Sequence, residues 1–276
     1  MDHVKILVCS HKEVEYPKNS LYLPVQVGAS LNPNRWGIQP DNEGENISDK
    51  NKFYSELTAH FWAWKNLKNV EYVGLAHYRR FLDINSESEI MDELSRYDIL
   101  LPAPISLPYC NGFNLGEVLT REDVYILMTC LKKMYPEYID AANKYLMQSN
   151  KNVCCNMFIT KHSIFDEYSE WLFPLLLETE KHVRLSGYTR IRRIFGYFSE
   201  VLLPIYVLHN NLKVKYYPLV DFPGVQTNQK KKIKTKLRYI LSDLSYHISK
   251  IGMPKVYKPM PSTHTGMIID KLPLWE

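Results

Sequence analysis

The 276-residue sequence has no glycine-rich phosphate loop, no G-x-S-x-G, no H-E-x-x-H and no C-x-x-C. Those gaps remove the sequence marks of a P-loop kinase, a serine hydrolase, a zinc protease and a thioredoxin-like redox centre. No run of about 18 to 20 apolar residues occurs, so a membrane-spanning helix is not expected. The start, Met1-Asp2-His3-Val4-Lys5, runs directly into a short apolar strand without the features of a secretory signal, and a cytoplasmic protein is the expectation. The five cysteines are odd in number and include the adjacent pair Cys154-Cys155, which reads as reduced, mostly buried thiols. The nine histidines are scattered, so no metal cage can be inferred, and a net charge of +4 is too small to imply nucleic acid.

What remains is a globular composition, 45% hydrophobic and 23% charged, which excludes disorder. Val4 to Cys9 reads as a buried first strand, with further strands at Tyr72 to Ala76, Asp98 to Leu101, Asn156 to Thr160 and Leu212 to Tyr216. Between them lie helical patterns. Leu57, Phe61 and Trp64 predict a striped helix over 55–67, Thr120-x-x-Asp123 predicts a capped helix ending before Pro136, and Ser163-x-x-Asp166 predicts the cap of a third helix that Pro174 kinks. Strands alternating with helices argue for an α/β fold with a mostly parallel sheet, whose ligand crevice lies at the carboxyl ends of its strands. The expected division is one domain over 1–222 and a basic extension over 223–276.

Four segments concentrate polar chemistry. The first, Asp41 to Asn51 with Tyr54, Glu56, Thr58, Trp62, Trp64, Lys65 and Asn66, sets amides, carboxylates and hydroxyls beside aromatics, as a sugar or base pocket requires. Its plain alternative is a solvated loop leading into a core helix. The second, Tyr72 to Phe81, is an apolar strand closing on His77-Tyr78-Arg79-Arg80, where guanidinium forks suit phosphate oxygens. A two-residue period places His77 and Arg79 on one face and Tyr78 and Arg80 on the other. The third, Asn156 to Thr160, offers Asn156 as a ligand; Trp171 in the helix beyond it is either core or a sugar platform. The fourth, Arg190 to Glu200, carries Glu200 within an uncharged stretch, as a general base or as an arginine-paired structural acid.

Taken together, Asn46-Ile47-Ser48-x-x-Asn51, Tyr54-x-Glu56-Leu57-Thr58, Trp62-x-Trp64-Lys65-Asn66 and Gly74-Leu75-x-His77-Tyr78-Arg79-Arg80 resemble a bacterial family described as a domain of unknown function, whose members are assigned as capsular or exopolysaccharide glycosyltransferases. The resemblance covers roughly residues 4 to 220. One departure is Val201, where the family pattern has arginine after the glutamate. The resemblance implies an A-type glycosyltransferase fold that takes a UDP-sugar donor and a glycan or polyprenyl-linked acceptor in surface-polysaccharide synthesis, with a hexosyl unit, galactofuranosyl among the options, being transferred. The donor set it implies is Ser10, His11, Asn46, Ser48, Asn51, Glu56, Thr58, Lys65, His77, Tyr78, Arg79 and Arg80, with Asn156 and Trp171 on the acceptor side. Glu200 is the first choice of base and Asp41 the second. The Asp-x-Asp that marks a Mn²⁺ or Mg²⁺ site in such folds is absent, so His77, Arg79 and Arg80 are expected to neutralise the diphosphate instead. A nucleotide-sugar or carbohydrate-binding protein without turnover is the alternative.

The tail places six cations in Lys230 to Arg238 ahead of apolar residues at helical spacing. This predicts a basic amphipathic helix that either lies on an anionic membrane at the inner face or packs on the domain. No role is read for residues 253–276.

Overall fold

The computed structural model describes residues 3–84, 86–115, 118–183, 193–221 and 229–257, with the backbone alone for 229–233. The β-branched run Val4–Ser10 forms β1, buried at every position but Lys5. Two strands, β2 (Tyr22–Gln26) and β3 (Gln39–Pro40), follow before β4 (Tyr72–His77), and β5 (Phe81–Leu82) comes directly after. Then come β6 (Ile99–Pro102), β7 (Ile105–Ser106), β8 (Lys151–Asn152), β9 (Phe158–Lys161), β10 (Val214–Tyr217) and β11 (Leu219–Val220). Seven strands make one sheet in the order β10-β6-β9-β4-β1-β2-β3. Every pairing in it is parallel except the two made by β9. The expected mostly parallel α/β sheet is therefore present, and its strands read as near-continuous apolar runs because both faces are covered.

On one face Val4, Ile6 and Val8 join Tyr22, Phe81 and Ile159 beneath α3 (Glu87–Arg96), which contributes Ile90 and Leu94. On the other face lies α2 (Leu57–Asn66), preceded by the single turn α1 (Asn51–Tyr54). The helix expected over 55–67 forms, but without a one-sided stripe, since all residues from Leu57 to Ala63 are buried. A helix covered on every side must satisfy its polar groups internally. His60 does so with Ser169 Oγ at 2.8 Å while stacking on Phe165 at 4.8 Å.

The third helix, α7 (His162–Glu180), starts straight from β9, and this corrects the expected cap. His162 donates from its backbone to Glu71 O at 2.8 Å and from Nδ1 to Val70 O at 2.7 Å, so the start is held from outside and Ser163 falls within the first turn. The Thr120 capping box does form on α5 (Arg121–Met134): Asp123 N donates to Thr120 Oγ1 at 3.1 Å, and Thr120 N donates to the Asp123 carboxylate at 3.0 Å.

The chain divides into two compact units, and the division does not follow the boundary expected at residue 222. One unit, residues 1–104, 153–170 and 211–229, holds the whole seven-stranded sheet. The other, residues 105–152, 171–210 and 230–276, holds the β7–β8 ladder, α4 (Asn111–Asn114), α5, α6 (Ile139–Gln148), α8 (Ile194–His209) and nearly all of α9 (Gln229–Ser249). The reason is topological: the chain leaves the sheet after β6, returns for β9, leaves along α7 and returns for β10. Among the described residues no helix is long and apolar enough to cross a membrane.

Candidate functional site

Parallel strands end on a common edge, and the loops leaving β1, β2, β3 and β4 all emerge there. Strand β9 runs the opposite way, pairing Leu75 with Phe158. Its beginning therefore reaches the edge where the others finish, which brings Cys155 and Asn156 beside His77. A reading of β9 as one more parallel strand would have placed Asn156 at the far edge.

Asp41, which follows β3, is completely buried and turned inward. Its carboxylate accepts from Gly28 N at 2.8 Å and Ala29 N at 3.0 Å, and also from Ser48 Oγ. Ser48 Oγ in turn accepts from Ser30 N at 3.0 Å. This corrects the choice of Asp41 as a base: three donors occupy the carboxylate and no part of it meets solvent. It staples the loop after β2 to the 41–48 loop, and the glycine at 28, with φ of 68°, is required because a Cβ there would lie 2.8 Å from Asn51.

The neighbouring amides act in the same way. Asn46 closes its own turn, donating to Gly44 O at 2.8 Å and accepting from Ser48 N at 3.1 Å. Asn51 Nδ2 donates to Ser55 O at 2.8 Å and Thr58 Oγ1 at 3.1 Å. Lys65 lies 3.4 Å over the Trp64 ring and 3.8 Å from Glu45, at the end of α2. Beside it Asn66 Nδ2 donates to Glu45 O at 2.8 Å. Thus Asn46, Ser48, Asn51, Thr58 and Lys65, expected to touch the donor, are engaged in shaping the loops, and the dense polar patch is to that extent a scaffold.

A second network leads toward the basic turn. Glu56, 4% exposed, accepts from Asn156 Nδ2 at 2.7 Å through Oε1. Asn156 and Cys155 both adopt positive φ, 48° and 81°, and Ser55 before Glu56 has φ of 53°. Three non-glycine residues in this sparsely populated region around one buried acid are a concentration of backbone strain of the kind found at ligand sites. The Cys155 carbonyl accepts from His77 Nε2 at 2.6 Å, which fixes a proton on that nitrogen. Arg80 Nη1 donates to Cys155 Sγ at 2.9 Å. The Cys155 thiol is pushed well above its ordinary range, first by its hydrogen bond to Cys154 and then by burial, with the Arg80 charge opposing. All five cysteines are free.

Strand alternation stops at His77. His77 and Arg80 pair across a tight turn, each donating its backbone N–H to the other's carbonyl, so the expected alternation of faces through Arg80 does not hold. Tyr78 and Arg79 form the tip, with the exposed Arg79 guanidinium 4.9 Å over the Tyr78 ring. His11, exposed after β1, meets Tyr78 edge-on at 5.4 Å. Ser10 is fully buried and its hydroxyl is turned onto Lys12, donating to the carbonyl at 2.6 Å. The groups presented outward here are thus His11, Tyr78, Arg79 and Arg80: two guanidiniums, an imidazole and a phenol. They suit an anionic, aromatic-bearing ligand.

This edge is a poor match for a protein-held divalent cation. Two acids of these loops, Asp41 and Glu56, are buried onto N–H and O–H donors, and two of the four outward groups named above are guanidiniums. Among the described residues no group of three or more His, Cys, Asp or Glu gathers as a metal set.

The other two expected residues lie in the second unit. Trp171 is 6% exposed, stacked on Tyr138 at 4.7 Å and 5.3 Å from Tyr206. It is core, which corrects its reading as an acceptor platform. Glu200 is half-buried on α8, next to the buried Val201. Arg190 and Arg192, upstream of it, lie outside the described residues.

Residues 5–211 match the family model described as "Domain of unknown function (DUF4422)". The chain belongs to this family. No curated protein matches this chain. Among solved structures it is similar to the apo form of the bifunctional glycosyltransferase WbbM, with a TM-score of 0.73 and 30% identity over 82% of this chain. The match spans 46% of the WbbM chain, just under half. The α/β sheet of this DUF4422 protein is thus one that a glycosyltransferase also contains.

Proposed function

We propose that this DUF4422 protein is a nucleotide-sugar-dependent glycosyltransferase of bacterial surface-polysaccharide synthesis. It transfers a hexosyl unit, galactofuranosyl among the options, from a UDP-sugar to a glycan or polyprenyl-linked acceptor at the inner face of the membrane. The observation that carries this reading is the likeness to WbbM over 82% of the chain. The chemistry of the carboxyl edge supports it.

In this reading the diphosphate lies against the Tyr78–Arg79 turn, where Arg79 and Arg80 meet the charge that develops on the leaving UDP. Such a site needs no protein-held cation. Tyr78 and His11 offer ring faces or edges to the base. Asp41, Ser48, Asn51 and Thr58 hold the loops around it, and Glu56 with Asn156 holds the turn in place. Glu200 takes the acceptor proton.

Replacing Glu200 by Gln is expected to remove most turnover while leaving UDP affinity intact; near-normal turnover would eliminate it as the base. Transfer that EDTA abolishes and Mn²⁺ restores would overturn the cation-free reading.

A further inference from the structure

Helix α9 is amphipathic in the opposite sense to a helix packed on a core. Its body-facing side is the polar one. Asp243 accepts from Lys151 Nζ at 2.7 Å and Asn150 Nδ2 at 2.8 Å. Tyr246 is 5% exposed, and Ser249 Oγ donates to Pro108 O at 3.4 Å. Beyond the helix the chain stays pinned, since Tyr257 N donates to Asn143 Oδ1 at 3.0 Å. On the opposite side, half a turn away, stand Leu237, Ile240, Leu241, Leu244 and Ile248, with Ile251 just past the end of the helix, each between 56% and 85% exposed. Five large aliphatic side chains on a fixed helix and a sixth just after it, all exposed, make a surface awaiting an apolar partner.

The charges around this row select the partner. Residues 229–257 contain eight lysines and arginines and a single acid, Asp243. That acid is on the inward side and is paired, so within this segment no carboxylate accompanies the aliphatic row. Lys234, Lys236 and Arg238 are exposed along it. A second copy of the chain would set one cationic row against another with nothing to offset the repulsion. An anionic lipid surface accepts both features at once, aliphatic side chains at the acyl boundary and cations among the headgroups.

We propose that the outward face of α9 is a membrane-docking surface, which seats the chain on anionic bilayers with the helix parallel to the surface. The Asp243–Lys151 and Asp243–Asn150 bonds orient it, holding the aliphatic row outward before contact. The surface uses none of the residues assigned to the carboxyl edge of the sheet, so it holds or fails independently of the transfer reaction.

The test is flotation of the full chain with vesicles of phosphatidylcholine alone or with phosphatidylglycerol added. The wild type floats with the anionic vesicles and remains behind with the neutral ones. Ile240→Glu with Leu244→Glu reduces flotation about tenfold or more, and Lys234→Glu with Lys236→Glu and Arg238→Glu does likewise. All five positions are exposed, and an unchanged thermal midpoint confirms that the variants remain folded. Equal flotation of the folded variants and the wild type overturns the proposal. So does a wild-type dimer in sedimentation that the Ile240/Leu244 pair dissolves without any vesicle binding, since the row would then belong to a second copy.

Discussion

Asn156 donates to Glu56 Oε1 at 2.7 Å, and through this bond α2 holds the beginning of β9. The consequence travels one residue further. Cys155, in the left-handed conformation beside Asn156, presents its carbonyl to His77 and its sulfur to Arg80. Glu56 is accordingly a positioning residue for the basic turn.

Glu56→Ala is expected to lower UDP affinity about tenfold, as the bond behind the turn is lost. Glu56→Gln retains an acceptor oxygen and is expected to bind UDP and turn over nearly as the wild type does. Calorimetric titration and a turnover assay on both variants check this. Full loss of turnover in the Gln variant, with UDP binding intact, would instead make Glu56 a catalytic acid or base.

Asp41→Ala should destabilise the fold by about 3 kcal/mol, because two buried backbone N–H groups and Ser48 lose their acceptor. The urea midpoint reads it. A loss of activity with no change in that midpoint would contradict the scaffold role.

Burial drives His60 down to a pKa of about 3, against 6.5 for the free side chain. A group depressed in the folded state stays neutral there while the unfolded chain takes up a proton below pH 6.5. Stability from this site is therefore complete above that pH and lost as pH falls toward 3, by about 1.4 kcal/mol per pH unit. His60→Leu should flatten that part of the stability profile measured by urea titration at pH 4 to 7; an unchanged slope would place the acid sensitivity elsewhere.

Arg79→Ala is expected to weaken UDP about tenfold and UMP much less, since the lost fork faces the second phosphate. Equal weakening of the two nucleotides in titration calorimetry would move the diphosphate away from the turn.

The sheet was legible in the sequence because short β-branched runs alternate with helical spacings, and all five expected strands form. The direction of β9 was not, since an apolar run such as Met157-Phe158-Ile159 carries no sign of its polarity. That single fact decides where Asn156 and Cys155 stand. The candidate site was legible as a set of segments but not as roles. Asn46, Ser48, Asn51 and Asp41 are residues that bind ligands and residues that close loops, and the choice depends on which backbone amides lie within about 3 Å. Gly44 illustrates the limit: with φ of 67° and a Cβ position only 2.0 Å from Asn66 Oδ1, it is fixed by a partner 22 residues away. Trp171 followed the apolar stripe into the core, as its spacing allowed.

Release of UDP from a UDP-hexose, with and without a polyprenyl-linked or glycan acceptor, tests the glycosyltransferase reading most directly. Acceptor-dependent release by the wild type is expected, strongly reduced when Arg79 and Arg80 are both replaced by Ala. Tight UDP binding with no release under any acceptor would contradict it and make the protein a binding module.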